Sequence, residues 1–203
     1  MPDRRAAIER APRWSAALFA VIACEPGGVG DPCIPEVEYV EDFTGFDLRE
    51  TYVESASFQC ESRLCLINHF QGRVSCPYGQ TEEDLSQPGT SPGRCRIPGT
   101  SGEGAHNSIT VPVASWNTSR PPSRAVYCSC RCDGPDPRAR YCDCPSGFSC
   151  EPLISELGLP GEQLVGSYCI KQATAYDDTQ LAYQSCREVP TSESCPGAPL
   201  VNP

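Results

Sequence analysis

Fifteen cysteines in 203 residues constrain this chain more than any other feature. The count is odd, so the cysteines cannot all pair within one chain. Setting aside the first, Cys24, leaves an even set: Cys33, Cys60, Cys65, Cys76, Cys95, Cys128, Cys130, Cys132, Cys142, Cys144, Cys150, Cys169, Cys186 and Cys195. An even set in an exported chain reads as a disulfide framework. Beyond residue 23, cysteine makes up about 8% of the chain and Pro plus Gly roughly a fifth, at the edge of the range for disulfide scaffolds. Large aliphatic side chains are sparse, so cross-links stand in for part of a core, each contributing about 2–4 kcal/mol by restricting the unfolded chain. Seven bridges allow on the order of a hundred thousand connectivities, and the sequence leaves the pairing open. The expected fold is small, disulfide-rich, mainly β and irregular loop, with short β-hairpins and little helix outside an amino-terminal signal.

The start of the chain bears on where such bridges form. Arg4, Arg5, Arg10 and Arg13 face only Asp3 and Glu9, and an apolar run, "AALFAVIA", follows from Ala16 to Ala23. Basic, then apolar, then small is the layout of a secretory signal peptide. The run falls short of the roughly 20 apolar residues that cross a bilayer. A buried helix opening a cytosolic domain is the competing reading, but the polar "EPGGVGDP" after Cys24 offers it nothing to pack against. Val21-Ile22-Ala23-Cys24 resembles the lipobox of bacterial lipoproteins, which implies a diacylglycerol on the Cys24 thiol and cleavage just before it. Acyl chains bind a membrane with about 0.8 kcal/mol per buried methylene, and two chains anchor stably. The resulting division is a signal peptide over 1–23, a lipidated tether over 24–32, an ectodomain over 33–170 and a tail over 171–203.

Removing the four arginines and two acids of the signal takes the formal charge from −10 to −12. With a single lysine, Lys171, and no basic cluster, nucleic acid and anionic headgroups are poor electrostatic partners.

Within the ectodomain, "VEYV", "TYVESASFQC" and "RLCLINHFQGRVSC" favour strands, and a turn at Gln71-Gly72 is expected to fold Leu64–Ile67 against Val74 as a hairpin. Residues 77–125 read as a long polar loop, with "SITVPV" as one short strand. In "YCSCRCDGPDPRARYCDCPSGFSC", Cys128, Cys130 and Cys132 repeat at period two, which in a strand puts them on one face about 6.6 Å apart. That spacing sends their bridges elsewhere rather than to each other. A hairpin across "DGPDPRAR" would oppose Cys132 to Cys142 and Cys130 to Cys144. "CDCPSGFSC" is similar to the closing half of an epidermal-growth-factor-like module at Cys142, Cys144, Gly147, Phe148 and Cys150. That likeness covers fewer than ten residues and reads as a local hairpin, because the upstream cysteine order of such a module is absent. "PLISELGLPG" suggests a short helix through Leu153, Ile154 and Leu157, and Cys186 with Cys195 a small terminal loop.

Catalytic signals are thin. There is no G-x-S-x-G, H-E-x-x-H or C-x-x-C. His69 lies between apolar neighbours and His106 in the polar loop; both read as structural or exposed. Asp177-Asp178 and Glu82-Glu83-Asp84 read as solvated surface, and Asp133, Asp136 and Asp143 lack the dense oxygen spacing of a calcium loop. The C-x-C thiols invite a metal-binding or redox reading, since thiolates select zinc or copper(I), but an even set in an exported chain favours disulfides.

The lipobox, the acidity and the segments "VESASFQC…HFQGRVSCPYGQ" and "YCSCRC…YCDCPSGFSC" together resemble the cysteine-rich surface lipoproteins of myxobacterial-type bacteria. That resemblance implies a location and carries no activity. The expectation is a non-enzymatic protein without cofactor, lipid-anchored at the cell envelope and on its outer membrane, with a structural or binding role. Its partners would be the membrane, through the anchor, and an envelope or extracellular protein or glycan. Two rivals stand: a metal-binding or redox protein using the C-x-C thiols, and an exported hydrolase, which a cleft joining His69 to a carboxylate would revive.

Overall fold

The computed structural model describes residues 25–86, 94–100, 107–154, 164–177 and 183–196. The signal and Cys24, the first residue of the tether, thus lie outside it, as do His106, Leu157 and Asp178.

Two small antiparallel sheets carry the chain. The first has the order β1-β2-β3, from β1 (Thr51–Glu54), β2 (Leu64–Asn68) and β3 (Val126–Ser129). The second has the order β4-β6-β5, from β4 (Arg131–Asp133), β5 (Phe148–Ile154) and β6 (Gly166–Lys171). Among the described residues, helix is limited to a 3-10 turn at Glu36–Tyr39 and two short helices, α1 (Glu82–Ser86) and α2 (Pro122–Ala125). The fold is therefore small, disulfide-rich and mainly β with irregular connections.

The apolar run of β2 is buried on both faces, as a central strand between two apolar layers requires. Cys65 and Ile67 face one layer with Val126 and Cys128 of β3. Leu66 faces the other with Val53, Tyr127, Tyr168 and Ile170, where the two sheets meet. In the first layer, six of the eleven buried members are cysteines: Cys33, Cys60, Cys65, Cys128, Cys186 and Cys195. Sulfur here occupies the space that aliphatic side chains fill in a larger core.

Seven disulfides join the fourteen cysteines beyond Cys24. Cys33–Cys65, Cys60–Cys128 and Cys76–Cys95 staple the first sheet and its loops, and Cys186–Cys195 closes the terminal loop. Cys130–Cys142, Cys132–Cys150 and Cys144–Cys169 knot the second sheet. No disulfide crosses the 129/130 junction between the sheets, which hold to one another through the Leu66–Tyr168 layer, the Ser129 hydroxyl donating to the Cys169 carbonyl at 2.9 Å and the Lys171 N–H donating to the Tyr127 hydroxyl at 3.0 Å.

Several expectations change. The opposition of Cys132 to Cys142 and of Cys130 to Cys144 does not form. The chain switches sheets at Cys130, between β3 and β4, so no single strand face carries Cys128, Cys130 and Cys132. β4 then pairs with β6 rather than with residues 142–144. Cys65 opposes Cys128 and Cys150 opposes Cys169 in register, yet each of the four bonds elsewhere. Side chains of opposed residues leave one face in parallel, so their partners come from elsewhere: Cys33, Cys60 and Cys144 from loops and Cys132 from β4.

The Leu64–Ile67/Val74 hairpin is also replaced. β2 pairs with β1 and β3, whereas Gly72, after a left-handed residue at His69, bonds back to Phe46. Gly72 is itself left-handed, and a Cβ there would lie 2.2 Å from the Ala114 carbonyl oxygen. Val37–Tyr39 of "VEYV" belong to the 3-10 turn Glu36–Tyr39, capped by Pro35 at φ −59° and by an extended Val40, rather than to a strand. Leu153 and Ile154 belong to β5, not to a helix.

The 77–125 region is packed rather than extended over its described part. Cys76, Cys95, Ile109 and Val113 form a third buried cluster. "SITVPV" makes isolated bridges at Ser108 and Val113 instead of a strand. Buried polar side chains do here what a sheet ladder does elsewhere. The Gln80 amide donates to the Ile109 and Val111 carbonyls, at 3.1 and 2.6 Å, and accepts from the Cys95 N–H at 2.9 Å. Arg73, fully buried, donates to the carbonyls of Glu38, Val40 and Phe43. Glu38 in turn accepts from the Val74 and Ser75 N–H groups. Each satisfies backbone groups that loops would otherwise bury unpaired.

Candidate binding cleft

The described part of 171–203 folds back onto the first sheet. The Cys186 N–H donates to the Trp116 carbonyl at 2.9 Å, and the Thr118 N–H to the Gln184 carbonyl at 2.8 Å. This return places Tyr176 and Tyr183 beside residues 46–49, across a cleft of about 510 Å³.

Three rings and three polar side chains define the cleft: Phe46, Tyr176 and Tyr183, with Asp47, Arg49 and Gln71. Two of the polar groups are held in place. The Gln71 amide donates to the Ser115 carbonyl at 2.8 Å and accepts from the Tyr183 hydroxyl at 2.9 Å. The Asp47 carboxylate accepts from the Arg49 N–H at 2.8 Å, closing a tight turn that aims both side chains outward. Phe46 packs against Phe43 and Tyr52, at centroid distances of 4.9 and 5.7 Å.

His69 supports the wall rather than lining it. Its ring stacks on Tyr176 at 3.9 Å, nearly parallel, and Nδ1 lies 3.1 Å from the Leu48 carbonyl. A carbonyl only accepts, so Nδ1 carries the proton. Burial, with the nearby Arg120 charge as a smaller contribution, pushes the imidazole pKa below its ordinary value. Arg120 fixes the segment from beneath by donating to the Asn68, His69 and Thr174 carbonyls, tying β2 to the returning chain. Among the described residues, no hydrogen bond or ion pair joins His69 to a carboxylate.

The other residues singled out from sequence do not converge here. Asp84 pairs with Arg187 at 2.8 Å, and that hydrogen bond holds its pKa down to about 2. Asp133 and Asp136 cap their own turns through the Gly134 and Arg138 N–H groups, Asp143 is exposed, and the three do not gather into a cation site. Sulfurs do cluster within 4.8 Å, as in Cys130, Cys142 and Cys169, but each belongs to a disulfide and offers no thiolate. The cleft residues escaped sequence reading because they lie at 46–49, 71, 176 and 183, with no local spacing to register them. The only available trace was a pair of tyrosines in an otherwise polar tail.

No family model, curated protein or solved structure matches this chain. Among the described residues, no helix is long and apolar enough to cross a membrane.

Proposed function

We propose that this chain is an exported lipoprotein, anchored through Cys24 at the cell envelope and on its outer membrane, whose ectodomain binds a glycan in the Phe46–Tyr176–Tyr183 cleft. The cleft carries the reading. Aromatic faces pack on the C–H faces of a sugar ring, while a fixed amide, a carboxylate and a guanidinium answer its hydroxyls. The anchor rests on the signal-like start, and on the fact that fourteen of fifteen cysteines have partners, leaving none in the chain for Cys24.

The test uses the full chain, purified in detergent. Saturation-transfer NMR with maltohexaose, cellohexaose and chitohexaose is expected to show binding by at least one oligosaccharide. Tyr183→Ala, which removes one exposed ring, is expected to weaken it about tenfold, equivalent to roughly 1.4 kcal/mol. Absence of binding to all three, or unchanged affinity in the variant, refutes the proposal.

A further inference from the structure

A second hollow, of about 360 Å³, shares no residue with the cleft. It opens where the 3-10 turn at Glu36–Tyr39 meets the end of β1, between the rings of Tyr39 and Phe58. The Glu36 N–H donates to the Glu54 carboxylate at 2.8 Å and fixes it at the mouth. Glu36 and Glu54 both line the hollow, and among the described residues neither forms an ion pair. Burial raises the Glu54 pKa, with the neighbouring Glu36 charge adding to it, as for an acid short of a counter-charge.

Independent of the acids is Ser57, which lines the same hollow and is 2% exposed. Its hydroxyl is buried without any hydrogen-bond partner, although its N–H is satisfied by the Arg63 carbonyl at 3.1 Å. Buried hydroxyls are normally paired, and one that is not calls for a missing partner. The opposite wall is rigid: the Gln59 amide exchanges two hydrogen bonds with the Ile34 backbone, at 2.7 and 3.1 Å.

The missing partner must bring positive charge and donors. A primary ammonium has three N–H donors and no acceptor, matching Glu36, Glu54 and Ser57 Oγ one to one. A quaternary ammonium would leave Ser57 unpaired. Calcium takes six to eight oxygens, and of those lining the hollow one Glu54 oxygen and the Gln59 side-chain carbonyl are already committed to backbone N–H groups. A guanidinium already occupies one face of the Phe58 ring, that of Arg63 at 4.0 Å from the centroid. Tyr39 and Phe58 add a favourable cation–π environment. A neighbouring groove, of about 550 Å³, shares Glu36 and Glu54 and continues along Val37, Val40, Tyr52 and Val53. That groove suits an aliphatic stem behind the charged head.

We propose that this hollow binds a primary alkylammonium group, held by Glu36, Glu54 and Ser57, with its stem along Val40 and Tyr52. The chemistry is that of a lysine side chain presented by a partner, or of a free aliphatic diamine. The net charge of −10 steers such cations toward the protein, and binding weakens as salt rises.

The test is NMR titration of the full chain in detergent with cadaverine, and with the capped tripeptide acetyl-Ala-Lys-Ala-amide; tetramethylammonium and Ca²⁺ serve as controls. Saturable shifts are expected for at least one amine, and the tighter of the two identifies the source. Ser57→Ala is expected to weaken amine binding about tenfold while raising the midpoint of thermal unfolding without ligand, since it removes an unpaired buried hydroxyl. Glu54→Gln, nearly isosteric, is expected to weaken binding at least tenfold. The proposal is overturned if neither amine saturates, if a control binds as tightly, or if the folded Ser57→Ala protein keeps full affinity.

Discussion

Removing the Cys60–Cys128 disulfide by the paired substitution Cys60→Ala/Cys128→Ala is expected to be the costlier of two comparable deletions. The bridge spans 68 residues and joins the loop before β2 to β3. The intact Cys76–Cys95 bridge lies inside that span and shortens the freed loop to about 50 residues, for which loop closure is worth about 4 kcal/mol. Both cysteines are essentially inaccessible, at 1% and 0% exposure, so replacing two sulfurs by hydrogens leaves a void costing about 1 kcal/mol more. The total, near 5 kcal/mol, reaches the lower end of the 5–15 kcal/mol by which a domain is stable. Cys186–Cys195 closes only 9 residues, for which the same relation gives about 2.6 kcal/mol, and its buried cysteines leave a similar void, so the loop length makes the difference. Guanidinium unfolding of both paired-alanine variants, followed through Trp116 fluorescence, measures the difference. Equal losses, or a larger loss at Cys186–Cys195, would refute the reasoning that loop length and burial set the contribution of each bridge.

Arg73→Met leaves the buried Glu38 carbonyl and the partly buried Val40 and Phe43 carbonyls without their donor and the Glu38 carboxylate without its neighbouring cation, with an expected loss of about 3–5 kcal/mol visible in the denaturant midpoint. The Asp84 pKa is held below its unfolded value, so the stabilisation from Arg187 is present above about pH 4 and disappears as pH falls through about 2. The pair is partly exposed, so its worth is at most about 1 kcal/mol, and Arg187→Ala is expected to flatten the acid limb of a stability-versus-pH curve by that amount. The imidazole pKa of His69 is lowered by burial, so its contribution holds above about pH 6.5 and is lost as pH falls through the folded value. Thermal midpoints at pH 7.5 and 5 are expected to differ more in wild type than in His69→Phe. Cys24→Ser is expected to abolish acylation, read as loss of the lipid mass by mass spectrometry and release of the chain from membranes.

The sequence by itself determined the class of this protein. Fourteen cysteines against few aliphatics require a cross-linked β-and-loop fold, because so little apolar surface cannot meet the entropy of ordering the chain. The apolar run Leu64–Ile67 marked a strand, but its central place between β1 and β3, covered on both faces, came from the tertiary structure and replaced the hairpin with Val74. The Cys186–Cys195 loop was legible because its ends are near in sequence. Tertiary structure decided the rest. Which cysteine meets which depends on where the chain crosses from one sheet to the other, at Cys130, a point that no residue spacing encodes. Gly72 turns as expected but toward Phe46, because the edge of β2 is already taken by β1 and β3. Arg73, Arg120 and Gln80 look like surface residues in a polar text, yet each is buried, because loops without a ladder need side chains to satisfy their backbone. The cleft tyrosines and the Glu36–Glu54–Ser57 hollow exist only once segments distant in sequence are folded together.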